Sequence, residues 1–119
     1  MIVTNLLTLH AQLRVFHWQT KIYSEHQALG MTYDAFSGLI DEFVEVFMGK
    51  YGRIHNGDGF TIELKNYTDT SSETLINKYI EYLTVDILKS LKDTDTELLN
   101  IRDEMLQHLN KLKYLLTLH

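Results

Sequence analysis

The chain of 119 residues contains no cysteine and no proline. The first absence removes disulfides, thiolate zinc sites and cysteine nucleophiles together. The second leaves no residue that must break a helix through a missing N–H or a ring clash. No apolar run approaches the roughly 18 residues of a membrane span. Basic residues are few: 11 Lys and Arg stand against 16 Asp and Glu, for a net charge of −5. They form no tail or stripe, so the electrostatic footprint of a nucleic-acid binder is missing and neither nucleic acid nor membrane is expected as a partner. Residues 1–7 show neither a basic start nor a small-residue cleavage site, so a cytoplasmic protein is expected. The glycosylation sequon Asn66-Tyr67-Thr68 would require secretion and is set aside.

What the chain does have is helical periodicity. Its length predicts a single domain over 1–119, burying about 65% of its unfolded surface. Apolar residues recur at three- and four-residue spacing almost throughout, which predicts an all-α fold of four helices. The first, over about 3–20, carries Leu6, Leu9, Leu13 and Phe16 on one stripe, with Thr4 or Asn5 as its cap. The second, over about 25–52, reads Leu29, Tyr33, Phe36, Ile40, Phe43 and Phe47, with Ser24 or its neighbour as cap and Gly49 and Gly52 at its end. Gly30 and Gly38 each cost that helix about 1 kcal/mol relative to Ala, a cost that close approach of a neighbouring helix or chain would justify.

Periodicity stops over about 53–71, where Asn56-Gly57-Asp58-Gly59 reads as a turn within a long connection. The third helix, over about 72–91, starts at Ser71 or Ser72 and buries Ile76, Ile80, Leu83, Ile87 and Leu91. The fourth, over about 94–118, is capped by Thr94 or Asp95 and buries Leu98, Arg102, Met105, Leu109, Leu112 and Leu116. Short turns within each pair and one long crossover between pairs predict two antiparallel hairpins joined end to end, the connectivity of a ferritin-like four-helix bundle.

One constellation carries chemistry. His17-Trp18, His26 and Asp41-x-x-x-Glu45 place two imidazoles and two carboxylates on helices within 29 positions. Imidazole with carboxylate and no thiolate favours iron, manganese or zinc. Asp41 and Glu45 stand at i,i+4 and share a face. Acidic pairs at that spacing are also common on solvated faces, but here they border the aromatic seam, where an unpaired carboxylate is costly. His10 reads as a core-edge residue, and His55, His108 and His119 as surface. Tyr33 and Phe36 read as packing, and Arg102 as a local partner for the acids Glu97, Asp103 and Glu104.

Phe16-His17-Trp18-Gln19 closing one helix, His26 opening the next and Asp41-Glu42-x-x-Glu45 further along resemble the Dps-like miniferritins of the ferritin-like superfamily, in a short variant of the kind phages encode. The match is strongest over about 9–54. The resemblance implies a metal site at a two-fold interface, with His17 and His26 of one chain facing Asp41 and Glu45 of another. It implies Fe(II) as the metal, with manganese or zinc as alternatives, and oxidation by peroxide or oxygen followed by sequestration. Trp18 then shields the site or passes electrons. Three departures stand out. Gly30 occupies the place of a further Asp, with Asp34 as a candidate substitute; the N-terminal arm is missing; and the chain is short for a twelve-subunit cage, leaving a homodimer as the minimum. The alternatives are a non-catalytic helical bundle acting as a binding or structural oligomer, and a zinc hydrolase, against which stands the lack of a separate general base.

Overall fold

The computed structural model describes residues 1–118, so His119 lies outside the described residues. They form four α-helices, α1 (Ile2–Gln19), α2 (Tyr23–Tyr51), α3 (Ser72–Thr84) and α4 (Thr96–Leu115), with a 3-10 helix at Asp86–Ser90 and no strand among them. No helix among the described residues is long and apolar enough to cross a membrane. At 1.5 Å per residue α2 runs about 43 Å, which is the longest dimension of the molecule, 43 Å. It is the axis on which the rest is laid: α1 packs along it on one side and α4 on another, while α3 packs on α4.

The apolar stripes meet in one core. Leu6, Leu9, Leu13 and Phe16 of α1, Leu29, Phe36 and Phe43 of α2, Leu83 and Ile87, and Leu98, Met105, Leu109 and Leu112 of α4 are all sealed from solvent. Burying each such side chain stabilises the fold by about 1.5–3 kcal/mol. His108, expected at the surface, is partly buried, its ring meeting Phe36 edge-on at 6.5 Å.

Helix ends differ from expectation where side chains find better partners. Neither Thr4 nor Asn5 caps α1, whose N-cap is Met1, and neither Ser24 nor Tyr23 caps α2, whose N-cap is Ile22. Ser71 does cap α3, accepting from the Thr74 N–H at 3.1 Å. That helix ends at Thr84 rather than near residue 91. Thr84 turns its hydroxyl onto the Ile80 carbonyl at 2.6 Å, and Arg102 draws the Leu83 carbonyl to its guanidinium at 2.9 Å. With two β-branched residues in succession, these competing bonds tighten the chain into the 3-10 turn that follows. Asp95 is the N-cap of α4, but its carboxylate serves other donors. It accepts from Lys92 N–H at 2.8 Å and from the Tyr51 hydroxyl at 2.7 and 2.6 Å, and pairs with the Lys50 ammonium at 2.5 Å. The end of α2 is thereby clamped to the start of α4.

Gly52, at φ 94°, closes α2, and the connection over 52–71 makes its turn at Asn56–Gly59, where the Gly59 N–H reaches the Asn56 carbonyl at 2.8 Å. Two glutamines a heptad apart on α1 then clasp the returning chain. Buried Gln12 donates to the Lys65 carbonyl at 2.8 Å and accepts from the Lys65 N–H at 2.6 Å. Gln19 accepts from the Tyr67 N–H at 2.7 Å and donates to the Asn66 side chain at 2.8 Å. Tyr67 lays its ring edge-on to Phe16 at 5.0 Å and donates its hydroxyl to Glu25 in the first turn of α2.

Candidate functional site

The α1–α2 turn occupies Thr20, Lys21 and Ile22, which places His17 in the last turn of one helix and His26 in the first turn of the other. Each imidazole bonds the other residue's backbone. His17 Nδ1 lies 2.6 Å from the His26 carbonyl, and His26 Nδ1 lies 2.7 Å from the His17 carbonyl. A carbonyl only accepts, so both Nδ1 atoms carry the proton, and in the neutral ring each Nε2 keeps its lone pair. The His17 carbonyl belongs to the last turn of α1, where helix geometry leaves carbonyls without a partner. The rings stack with centroids 3.8 Å apart and planes 14° from parallel.

The acids lie elsewhere on α2. Asp34, Asp41 and Glu45 are exposed, so the desolvation cost expected of carboxylates beside the aromatic seam does not attach to them. Asp41 and Glu45 stand roughly 60° and 100° round the helix from His26, but about 22 and 28 Å along it. They share a side of the helix with His26 and cannot share an ion with it in one chain. Accordingly, no three His, Asp or Glu side chains gather into a metal-holding group among the described residues. Two parts of the expected constellation are thus found separately: a paired-imidazole site at one end of α2 and an open acidic face beyond its middle.

Beside the imidazole pair runs a column of rings. Trp18 is exposed, at 64% of its full surface. The Arg14 guanidinium lies 5.0 Å from the Trp18 ring and 4.9 Å from that of Tyr33, and His10 stacks on Tyr33 at 4.4 Å. His10 sits at the core edge as expected. Burial lowers its pKa, and its Nε2 is buried without a hydrogen-bond partner. Tyr23, also exposed, lays its ring 6.2 Å from that of His26. His55 is exposed. Arg102, itself half-buried, pairs with exposed Asp103 at 2.9 Å, while Glu97 pairs instead with Lys50 at 2.8 Å.

Sequence reasoning missed the glutamine clasp, the Lys50–Asp95 clamp and the guanidinium between two rings. Gln12 and Gln19 do stand a heptad apart beside the apolar stripe, but glutamine on a helix is ordinary until the fold brings a backbone to it. The expectation that Gly30 serves close approach is met by a side chain of the same molecule: a Cβ at Gly30 would lie 2.8 Å from Cε1 and 3.0 Å from Nδ1 of His17. Gly38, by contrast, has open space where a Cβ would stand. No curated protein and no solved structure matches this chain. Residues 17–116 match the model described as a family of unknown function, DUF5856, and the chain belongs to that family.

Proposed function

We propose that this chain is a ferritin-like, iron-binding protein whose oxidation site is completed by a second copy of itself. The observation that carries the reading is the reciprocal bonding of His17 and His26, which commits both Nδ1 protons to carbonyls and leaves both Nε2 atoms as ligands. A metal-ligating histidine is ordinarily held in this way, its other nitrogen donating to a carbonyl or carboxylate. Imidazole lone pairs lie in the ring plane. Two nearly parallel planes 3.8 Å apart therefore favour one ion per ring over chelation of a single ion.

The contacts at each end of the bundle support the ferritin-like connectivity. The 52–71 connection leaves the far end of α2 and returns to Glu25 at its beginning. Asp95 places the start of α4 beside the end of α2. The helices then run up, down, down and up, two antiparallel hairpins with a crossover between them.

The acids are reached by pairing two α2 helices antiparallel about a pivot between Ala35 and Phe36, which sets His26 of one chain opposite Glu45 of the other. Near that pivot the outer face carries Ser37 and Gly38, both exposed, and the space beside Gly38 is open to a close neighbour. His17 and His26 would supply nitrogen ligands, and Asp41 and Glu45 of the second copy would supply oxygen; Asp34, about 12 Å along the helix from His26, stands outside this set. This set fits Fe(II), and manganese or zinc after it. Ferrous iron oxidised there by peroxide or oxygen supplies the redox chemistry, and the ferric product is held or released. The chain's own work is to fix the ligands and, through Trp18, to cover them.

A second reading rests on the same bonds. They tie the last turn of α1 to the first turn of α2, so the pair serves equally as a staple in a non-catalytic bundle that acts as a structural or binding oligomer. Titrating the apo-protein with Fe(II), adding peroxide and following ferric absorbance separates the two. Wild type shows a fast phase that a variant carrying His17→Ala and Asp41→Ala lacks; equal slow rates in both refute the oxidase reading. Light scattering accompanies it, since a monomer in the presence of Fe(II) would refute the shared site.

A further inference from the structure

The strongest local constraint at the imidazole pair comes from a residue with no side chain. A Cβ built on Gly30 would stand 2.8 Å from Cε1, 3.0 Å from Nδ1 and 3.7 Å from Nε2 of His17. The first distance is shorter than carbon atoms tolerate without movement, and the atoms in the way belong to the free end of a side chain. The ring would give way, not the helix. Yet the ring has no slack in its present place. One face lies on His26 at 3.8 Å, and its Nδ1 is pinned to the His26 carbonyl at 2.6 Å. Any displacement that admits a Cβ at position 30 therefore shifts the stack or the Nδ1 bond.

We infer that Gly30 is a positioning residue, the seat on which the His17 imidazole is stacked and its Nε2 kept in the ligand tautomer. The inference rests on the proposed metal-binding role of the pair, which it deepens. It also inverts the meaning of the missing acid. In the miniferritins this chain resembles, an aspartate at this place is an additional ligand; here the imidazole occupies its space. Placing aspartate at position 30 is accordingly expected to weaken the site. Helix propensity gives the opposite expectation, since alanine in mid-helix is about 1 kcal/mol better than glycine. A loss of ligand geometry without a loss of stability is the signature of a seat.

The test uses the full chain with Gly30→Ala, Gly30→Asp, His17→Ala and the double variant His17→Ala/Gly30→Ala. Long-range 1H–15N spectra of the imidazoles, taken without metal, report the tautomer of each ring. Wild type shows both as the Nδ1–H form. Gly30→Ala and Gly30→Asp return His17 to a mixture of tautomers while thermal unfolding stays within a few degrees of wild type. Retention of the pure Nδ1–H form at His17 in Gly30→Ala overturns the inference, whatever the protein does with metal. Zn(II) and Fe(II) titrations form the second arm. Gly30→Ala and Gly30→Asp lower affinity by about 10- to 100-fold, the usual effect of disturbing the groups that orient a ligand. In the His17→Ala background, Gly30→Ala changes nothing further; an undiminished loss there shows that Gly30 acts on something other than His17 and overturns the inference. Absence of metal binding in wild type would refute the proposed function and leave the tautomer result to decide the seat by itself.

Discussion

Replacing Gln12 by leucine leaves an apolar side chain one bond shorter and removes both of its hydrogen bonds. The wild-type amide is 1% exposed and bonds both backbone groups of Lys65, the N–H at 2.6 Å and the carbonyl at 2.8 Å. A net contribution of about 0.5–1.5 kcal/mol for each bond gives a loss of about 1–3 kcal/mol. Lys65 is exposed, so water takes over part of its bonding and the lower half of that range is expected. For a domain of this length the cost corresponds to about 4 °C in Tm per kcal/mol. The more specific consequence is local. Gln12 and Gln19 hold the return leg of the 52–71 connection on α1, and Gln12 is the clasp further from the α1–α2 turn. Residues 53–65 should therefore become protease-sensitive in Gln12→Leu well below the midpoint of global unfolding. Urea denaturation followed by tryptophan fluorescence, beside limited proteolysis in native buffer, measures both. Wild-type cleavage rates in 53–65 with a reduced midpoint would refute the clasp, since the loss would then be spread over the core.

The clamp between α2 and α4 contributes a pH-dependent part of the stability. The Lys50 ammonium, the Lys92 N–H and the Tyr51 hydroxyl hold the Asp95 carboxyl down at about 2. Its folded pKa lies below the unfolded value of about 3.9, so its stabilisation is complete above pH ~4 and is lost as pH falls toward 2. Asp95→Asn should flatten the acid limb of a Tm-against-pH curve in that window; an unchanged limb refutes the clamp. The Asp95 carboxylate raises the pKa of Lys50, chiefly through their hydrogen bond, so that contribution is complete below pH ~10.4 and fades as pH rises above it. Ser71→Ala should cost about 1 kcal/mol in urea denaturation, because Ser71 is the only helix N-cap whose side chain bonds its helix among the described residues.

Helices and core were legible because both follow from local spacing. Leu6, Leu9, Leu13 and Phe16 recur with the helical period, and any partner surface buries that stripe in the same way. The end of α3 was not legible. It depends on Arg102, nineteen positions away, taking the Leu83 carbonyl. Asp95 was expected to cap α4, yet its carboxylate serves Lys50 and Tyr51, more than forty positions earlier. The two histidines could be picked out by residue type, but their exchange of carbonyl bonds could not, because it depends on how tightly the three-residue turn closes. Gly30 was noticed for its cost to the helix, and only the position of the His17 ring gives that cost a reason.

The long second helix is tied at both ends and bare along one side. At its start, His26 exchanges bonds with His17 and Glu25 accepts from Tyr67; at its end, Lys50 and Tyr51 engage Asp95. Between these ties Phe36, Ile40 and Phe43 face the core, while Asp34, Ser37, Gly38 and Asp41 face outward. A helix without proline, fixed at both ends and packed along one face, does not bend to bring its own termini together. The separation of His26 from Asp41 and Glu45, about 22 and 28 Å, is therefore fixed by the helix. Any site that uses both sets must contain two chains, and its symmetry is set by the midpoint between the two sets. A crosslink tests that geometry without metal: cysteine introduced at Ser37, beside the expected two-fold, should form a disulfide dimer readily, whereas cysteine at the equally exposed Glu73 on α3 should not. Equal crosslinking at both positions would show that the outer face of α2 is not where the copies meet.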